Sequence, residues 1–405
     1  MRSRTVTRTL QLGLVAVLVA TCATAAGPAV AAPQGFVTAG VARAAAAPGA
    51  PVPAVVDGLT AFGHRMAGRD DASGTNWVMS PLSVAYLFAM ARAGAGGDTA
   101  AQIDRLFGFP AAGTPEAFNA LDRQLARPGG PLRAANALWA QPGLPIGEPF
   151  LRTLAAQYGT GVRTVDFGSP GATDAIDAWV RAQTNGRIRK LFDRLSPDTR
   201  AVLANAIYFK GEWRTPFRGT EPDATFTVAD GSTVRAPMMR EPVAASYAEG
   251  PGWRAVELPY SEGDYAMWVL LPDPSGAPAD LLAPDVLAAV GAGLRPTVVD
   301  VSLPKWEFGT DIDLLAALND LGATALTDFS GINPDLTLDQ AVHRANITVD
   351  EEGTEAAAAS GMAFTVSAGP MPEVAFRADR PFAFAIVHTP SRTPAFIGTV
   401  ANPAA

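Results

Sequence analysis

Histidines, cysteines and clustered carboxylates form most catalytic and metal sites, and this chain has few of them. Its 405 residues include three histidines, His64, His343 and His388, and one cysteine, Cys22. The sequence contains no serine-hydrolase elbow, zinc-peptidase helix, phosphate-binding loop or dinucleotide-binding turn. The pair Glu351-Glu352 points to opposite sides of an extended chain and makes a poor chelate. We therefore exclude a zinc enzyme, expect no cofactor and no metal, and keep a serine-dependent hydrolase only as a weak alternative.

His343 belongs to the clearest strand pattern in the sequence. Over residues 341–350, His343, Ala345, Ile347 and Val349 alternate with polar residues. This period of two is typical of a half-buried strand. It places His343 on the inward face, where a hydrogen-bonded structural histidine is favoured over a catalytic base.

The stretch after this strand has an unusual composition. It is Glu351-Glu352-Gly353-Thr354-Glu355-Ala356-Ala357-Ala358-Ala359-Ser360. An alanine run alone is typical of a helix or a flexible linker. However, Gly353 lets the chain bend, and beyond it Thr354 and other small uncharged residues share one face of a continued alternation. The alternative hypothesis is a conditional strand, which is a solvated loop whose small face can enter a sheet.

The N-terminus has the pattern of a secretory signal. Three arginines precede an apolar run over residues 10–20, and Ala-x-Ala sites follow it. We predict a signal peptide over residues 1–31 and a disordered spacer rich in Ala, Gly and Pro over residues 32–53. The protein is expected to be secreted and extracellular. A lipid anchor through Cys22 is the alternative, because residues 19–22 loosely resemble a lipobox.

Residues 54–405 have the composition of one large globular domain. The full chain is 48% hydrophobic and 17% charged, and no linker or internal repeat divides this part. A formal net charge of -8 argues against nucleic acid or an anionic membrane as partner. The short basic run at residues 187–190 is interpreted as a solvated helix end, and no heparin-type polyanion is expected to bind there.

Helical signals dominate the first half of this domain and strand signals the second. Helices are predicted over 55–66, from Ser80-Pro81 onward, over 99–107 and over 174–184. Strands are predicted over 202–209, 224–228, 255–258, 266–271, 298–303 and 383–387, with a hairpin turn at 261–264. Helices followed by strands indicate an α+β fold rather than alternating α/β units.

Short motifs with a recognisable order run along the whole domain. They are Asn76–Ser83, Ala135–Trp139, Trp179–Val180, Leu203–Trp213, Glu257–Tyr260, Leu303–Lys305, Phe329–Ile332, Ala341–Ser360, Phe376–Phe382 and Phe396–Gly398. Together they resemble the serpin family, in its inhibitory type and as a secreted bacterial member. The resemblance implies helices packed around a large mixed central β-sheet, further smaller sheets and an exposed reactive-centre loop.

The resemblance also implies a function, which is suicide-substrate inhibition of serine proteases. The target protease attacks the loop and forms an acyl-enzyme, and the freed arm of the loop inserts into the central sheet before hydrolysis. The expected partner is a serine protease in covalent complex with a monomer of this chain. The alternative is a non-inhibitory serpin that acts as a protease substrate or a binding protein.

Three sets of site residues follow from the resemblance. The hinge of the loop corresponds to the ten residues Glu351–Ser360 quoted above. The shutter, where the sheet opens, corresponds to the polar residues Ser80, Ser83, Asn205 and His343. The breach, where insertion begins, corresponds to Trp213.

The reactive bond has two possible positions. Counting seventeen residues from Glu351 places it between Ser367 and Ala368, which we prefer, and counting back from residues 372–374 places it between Ala368 and Gly369. Both positions put a small residue before the bond, which favours elastase-like or subtilisin-like proteases over trypsin-like ones. Cleavage after Phe364 or Met362 by a chymotrypsin-like protease is a further alternative.

Overall fold

Eight α-helices and two large β-sheets form the described part of the chain. The structure, a computed structural model, describes residues 35–70, 74–125, 130–186, 188–324, 326–338, 340–354 and 371–405. The helices are α1 (Val52–Asp70), α2 (Pro81–Arg92), α3 (Gly97–Phe107), α4 (Thr114–Leu125), α5 (Glu148–Thr153), α6 (Ala172–Gln183), α7 (Pro284–Gly293) and α8 (Leu314–Asp320). A π-helical turn (Leu154–Tyr158) follows α5, and a 3-10 helix (Pro278–Leu282) precedes α7. Within these ranges no helix is both long enough and apolar enough to span a membrane.

The strands alternate with the helices early in the chain and then dominate it. They are β1 (Gly35–Val37), β2 (Trp77–Met79), β3 (Leu132–Ala140), β4 (Val162–Thr164), β5 (Ala201–Phe209), β6 (Gly211–Glu212), β7 (Gly219–Thr227), β8 (Thr233–Gly250), β9 (Trp253–Pro259), β10 (Tyr265–Pro272), β11 (Arg295–Pro304), β12 (Trp306–Asp313), β13 (Ala341–Val349), β14 (Gly353–Thr354), β15 (Val374–Arg377), β16 (Phe382–His388) and β17 (Thr393–Val400). The helices and strands predicted from the sequence are confirmed, with boundaries that differ by a few residues.

Helix α2 starts where the sequence predicts. The Ser80 hydroxyl accepts a hydrogen bond from the Ser83 backbone N–H at 3.1 Å, and Pro81 occupies the first turn, where a missing N–H costs nothing. Almost every side chain of α2 is buried, because the helix packs against β17 of one sheet and β5 of the other. Helix α2 is therefore the central element between the two sheets.

The eight-stranded sheet, here called sheet A, contains a gap between two of its strands. Its order is β1-β4-β3-β5-β13-β14-β6, with β12 on the other side of β13. Strand β13 pairs in parallel with β5 only over Ala341–Arg344, and at its far end Val349 pairs with Thr354 of β14. Among the described residues, no strand pairs with Ala345–Thr348 on this side of β13. We call this gap between β5 and β13 the seam.

The nine-stranded sheet, sheet B, anchors the chain beyond the loop. Its order is β15-β11-β8-β9-β10-β16-β17-β2, with β7 also paired to β8. Strand β15 pairs in parallel with β11, and the Glu373 backbone N–H donates to the Val298 carbonyl at 2.9 Å. The two mixed sheets with surrounding helices confirm the predicted α+β fold.

The disordered spacer predicted for residues 32–53 is wrong for the part that the structure describes. Strand β1 pairs with β4 at the edge of sheet A, the Ala44 backbone N–H donates to the Ala156 carbonyl at 2.7 Å, and α1 already begins at Val52. Arg43 also forms an ion pair with Asp122 at 2.5 Å. The segment has little apolar surface of its own, and its order comes instead from backbone and charge contacts to the domain.

Several predicted features lie outside the described residues. These are the signal peptide with Cys22, the second half of the hinge from Glu355 to Ser360, and the reactive-bond residues Ser367, Ala368 and Gly369. The site is therefore built from the first half of the hinge and from the part of sheet A that would receive the rest.

Candidate functional site

The first two residues of the loop after the hinge turn are already part of sheet A. Gly353 and Thr354 form β14, which lies between β13 and β6. A Cβ atom on Gly353 would lie 2.1 Å from the Gly211 carbonyl oxygen, so no side chain fits there. The glycine thus permits a close approach of the β14 and β6 backbones at the end of the seam nearest Val349, which we call its top.

Thr354 is the first side chain of the loop to be buried. Its residue is 2% exposed, and its hydroxyl lies 2.7 Å from the Tyr260 hydroxyl. Burial raises the pKa of Tyr260, which therefore stays a neutral phenol, while the hydrogen bond from Thr354 acts in the opposite direction. The site therefore holds a small polar side chain in a buried position.

Trp213, predicted to mark the breach, contacts both the hinge turn and Tyr260. Its indole N–H donates to the Asp350 carbonyl at 2.9 Å, and its backbone N–H donates to the Glu352 carbonyl at 2.8 Å. The Trp213 and Tyr260 rings stack at 4.7 Å with an interplanar angle of 12°. Trp213 therefore supports the turn from which insertion would proceed.

Glu351 fastens the start of the hinge to the neighbouring strands. Its carboxylate forms an ion pair with Lys305 and accepts a hydrogen bond from the Thr220 hydroxyl at 2.8 Å. Burial alone would raise the pKa of Glu351, but the hydrogen bonds from Lys305 and Thr220 outweigh it and lower that pKa. The Glu351 carboxylate therefore stays ionised, and its two contacts hold the first residue of the hinge against the neighbouring strands.

The structure brings the four predicted shutter residues together in one buried network. The Ser80 backbone N–H donates to His343 Nε2 at 3.0 Å, and His343 Nδ1 lies 3.0 Å from Asn205 Oδ1. Because Nε2 accepts, Nδ1 carries the proton and donates to Asn205. Asn205 Nδ2 in turn donates to the Ser83 carbonyl at 3.1 Å and to the Ser83 hydroxyl. The network joins α2 to both strands that flank the seam.

His343 is a neutral structural histidine. The residue is completely buried, and desolvation lowers its pKa to about 3. Both of its ring nitrogens are engaged by uncharged groups. The shutter is therefore a neutral hydrogen-bond network with no base available for catalysis.

The other two histidines do not form a catalytic arrangement with the site. His64 is half-buried on α1. His388 Nδ1 lies 2.7 Å from the Ser391 hydroxyl within the short turn between β16 and β17, and Ser391 Oγ lies 2.7 Å from Thr393 Oγ1. These contacts close a hairpin, and nothing in them favours the hydrolase alternative.

Sequence reasoning missed three residues of the site. Tyr260 and Lys305 lie within motifs that carried the resemblance, yet no role was predicted for either. Asn136 of β3, which accepts a hydrogen bond from Asn205, extends the shutter by one strand. The period-two pattern could have placed Asn136 on a strand face, but only the cross-strand pairing Asn136↔Asn205 shows that the two amides meet.

Comparisons with known proteins agree with this geometry. Residues 58–403 match the family profile described as Serpin (serine protease inhibitor). The chain is 35% identical to an uncharacterised serpin-like protein of Thermococcus kodakarensis, covering 86% of each chain. It is 34% identical to the leukocyte elastase inhibitor of Bos taurus, covering 85% of this chain and 96% of that one.

A solved structure shows the same fold. Thyroxine-binding globulin in complex with thyroxine superposes with a TM-score of 0.75 at 27% identity, over 86% of this chain and 99% of that one. The chain belongs to the serpin family. Its fold is the serpin fold, and the family is described as serine protease inhibitors rather than as catalytic enzymes.

Proposed function

We propose that this chain is a suicide-substrate inhibitor of serine proteases that works by insertion of its cleaved loop into sheet A. The observation that carries the proposal is the seating of Thr354 at the top of the seam, above a stretch of β13 that no described strand covers on that side. The hinge is thereby aligned for insertion before any protease acts.

The register of β14 predicts where the inserted residues would lie. Thr354 faces Val349 in an antiparallel pairing, so continuing the strand would place Ala356 opposite Ile347 and Ala358 opposite Ala345. The inward-facing residues of β13 are all buried. Alanines are therefore required on this face of the loop, since larger or charged side chains would have to enter a filled core.

Continuing the same register brings the loop to the shutter. Ser360 would lie opposite His343 on one side and close to Asn205 on the other. At present, His343 and Asn205 are hydrogen-bonded to each other across the paired strands β5 and β13. Insertion must break this hydrogen bond, and the Ser360 hydroxyl supplies a replacement partner. A small neutral network exchanges partners at low cost when every group remains satisfied.

The chemistry that starts insertion belongs to the protease. Its serine oxygen attacks the carbonyl carbon of Ser367, the bond to the Ala368 nitrogen breaks, and the amine of Ala368 leaves as an ester forms. A dozen loop residues that then gain two ladders make on the order of fifteen hydrogen bonds at about 1 kcal/mol each. Ordering the loop offsets part of this gain, so the uncleaved state is held by kinetics.

The proposed targets are elastase-like or subtilisin-like serine proteases. The small side chain of Ser367 before the bond, or of Ala368 in the alternative register, suits shallow specificity pockets and not those that bind Arg or Lys. One relative is named leukocyte elastase inhibitor, in keeping with this choice. We further propose that the protein acts as a monomer. We also propose that it is exported, because its N-terminus has the pattern of a signal peptide.

The decisive experiment is incubation of the purified protein with pancreatic elastase and, separately, with subtilisin, followed by a denaturing gel and mass spectrometry. A covalent band together with a released peptide that starts at Ala368 is expected. Cleavage without a covalent band would instead indicate a non-inhibitory serpin, which acts as a protease substrate or a binding protein. A peptide that starts at Gly369 would move the reactive bond by one residue.

A further inference from the structure

Met371 is the most exposed large apolar residue in the described part of the chain. It is 85% exposed, whereas the next, Phe36, is 52% exposed. The other described methionines are all buried, at 1% exposure or less; they are Met66, Met79, Met90, Met238, Met239 and Met267. A single exposed apolar residue is common on protein surfaces. The position of Met371 in the chain therefore decides whether it has a role.

Met371 is held close to a rigid part of sheet B. Two residues later, the Glu373 backbone N–H donates to the Val298 carbonyl at 2.9 Å, and β15 pairs with β11 from Val374 onward. Met371 also precedes Pro372, and a residue before a proline is restricted to extended conformations. The methionine is thus presented from a constrained backbone, which lowers the entropy that is lost when a partner binds.

The proposed reactive bond lies a short distance along the chain from Met371. Ser367 is four residues before it, and four residues of fully extended chain span at most about 14 Å. Counting from Ala368, the alternative position, shortens the span to about 11 Å. Protease–inhibitor interfaces cover about 800 Å² on each partner, which corresponds to a disc of about 16 Å in radius. A protease centred on either bond therefore reaches Met371.

From these observations we infer that Met371 is a specificity-determining contact of the inhibitor, and that it binds an apolar surface of the target protease. This surface lies beside the part of the protease cleft that receives the residues after the bond. The inference rests on the proposed inhibition and adds a second requirement to it. The small residue before the bond selects proteases with a shallow pocket, and Met371 selects among these the ones with an apolar surface at this place.

Met371 acts only before the reactive bond is cut. The residues up to Ser367 insert into sheet A together with the protease, whereas Met371 remains joined to β15 on the other side of the broken bond. Loss of the Met371 contact therefore slows formation of the acyl-enzyme. It leaves the later competition between insertion and hydrolysis unchanged, which distinguishes Met371 from the hinge residue Thr354.

The test measures the second-order rate constant of covalent complex formation with pancreatic elastase and, separately, with subtilisin. Met371→Gln keeps the length of the side chain and makes its end polar. With the protease that the parental protein inhibits faster, this variant is expected to lower the rate constant about tenfold. Met371→Leu keeps the side chain apolar and should stay within about twofold of the parental rate constant. In both variants the ratio of covalent complex to cleaved protein should equal the parental ratio.

Val41→Gln is the matched control, because Val41 is another exposed apolar residue, at 38%, and follows β1 at the edge of sheet A. It should show the parental rate constant. A parental rate constant for Met371→Gln, or an equal loss in Met371→Gln and Met371→Leu, would overturn the inference. So would a lowered ratio of complex to cleaved protein in Met371→Gln. A parental protein that forms no covalent complex would refute the proposed function itself, and this inference with it.

Discussion

Replacing Thr354 by arginine is expected to change the protein from an inhibitor into a substrate. In the present structure the Thr354 side chain is buried between β13, β6 and Tyr260, and its hydroxyl lies within hydrogen-bond distance of the tyrosine hydroxyl. A guanidinium there would have to lose its hydration on burial, which costs several kcal/mol. The chain avoids this cost by keeping the hinge out of the sheet.

The magnitude follows from the contacts that would be lost. Expelling β14 removes the hydrogen bond to Tyr260 and the backbone pairing to β13 and β6, each worth about 1 kcal/mol, or about 3 kcal/mol in total. If the first step of insertion bears this cost, insertion slows by about a hundredfold, since each 1.4 kcal/mol is a factor of ten in rate. Hydrolysis of the acyl-enzyme then overtakes insertion.

The assay is the ratio of covalent complex to cleaved protein after reaction with elastase or subtilisin. Thr354→Val keeps the shape and loses only the hydroxyl, so it leaves Tyr260 unpaired and is expected to lower the yield of complex about fivefold or less. Adding Tyr260→Phe to Thr354→Val removes both partners and should restore most of the yield, because a matched pair of deletions is nearly neutral.

One outcome would refute this reasoning. If Thr354→Arg is folded, is cleaved at the same bond as the parent protein and still gives the parental yield of covalent complex, then burial of residue 354 is not required for trapping. A parental protein that gives no covalent complex at all would instead refute the proposed function itself.

Three further predictions concern stability. The pKa of His343 is lowered from its ordinary 6.5 to about 3, because the buried imidazole is held neutral. The free energy of unfolding should therefore be highest above pH 6.5 and fall as the pH drops toward 3, by up to about 1.4 kcal/mol per pH unit. His343→Gln should make the free energy of unfolding, measured with urea, less dependent on pH in this range. Glu351→Gln, which loses a partly buried ion pair with Lys305, should lower Tm by about 2 °C, and an unchanged Tm would mean that the pair adds nothing to the fold. Arg43→Ala should lower Tm by about 2–4 °C, whereas Arg152→Ala in an exposed helical pair should leave Tm unchanged; equal effects would contradict the structural role assigned to the N-terminal segment.

Much of the fold was predictable because its patterns are local. The period of two around His343 gave β13 its correct face, and Ser80-Pro81 marked the start of α2 to the residue. The order of residues 35–50 was not predictable in this way. It depends on the edge of sheet A and on Asp122, which lies 79 residues from its partner Arg43.

The candidate site was predictable in part for the same reason. Small residues after Gly353 indicate a strand that can enter a sheet, and this is a property of the sequence itself. The partners of the hinge are instead set by long-range pairing, since Tyr260 is 94 residues before Thr354. Side chains that meet only through tertiary structure carry no periodic signal, which is why Tyr260, Lys305 and Asn136 were missed.

In the proposed mechanism, one network, the shutter, both holds β5 and β13 together and allows them to separate. While β5 and β13 are paired, the hydrogen bond between His343 and Asn205 spans the two strands and adds about 1 kcal/mol to their association. If His343 were charged, separating it from Asn205 would leave an ion in the core at a cost of several kcal/mol. Because burial keeps the imidazole neutral, the inserted Ser360 hydroxyl can replace Asn205 as its partner. If the loop inserts as proposed, the neutral state of His343 thus contributes to the stability of the closed sheet and also keeps the barrier to its opening low.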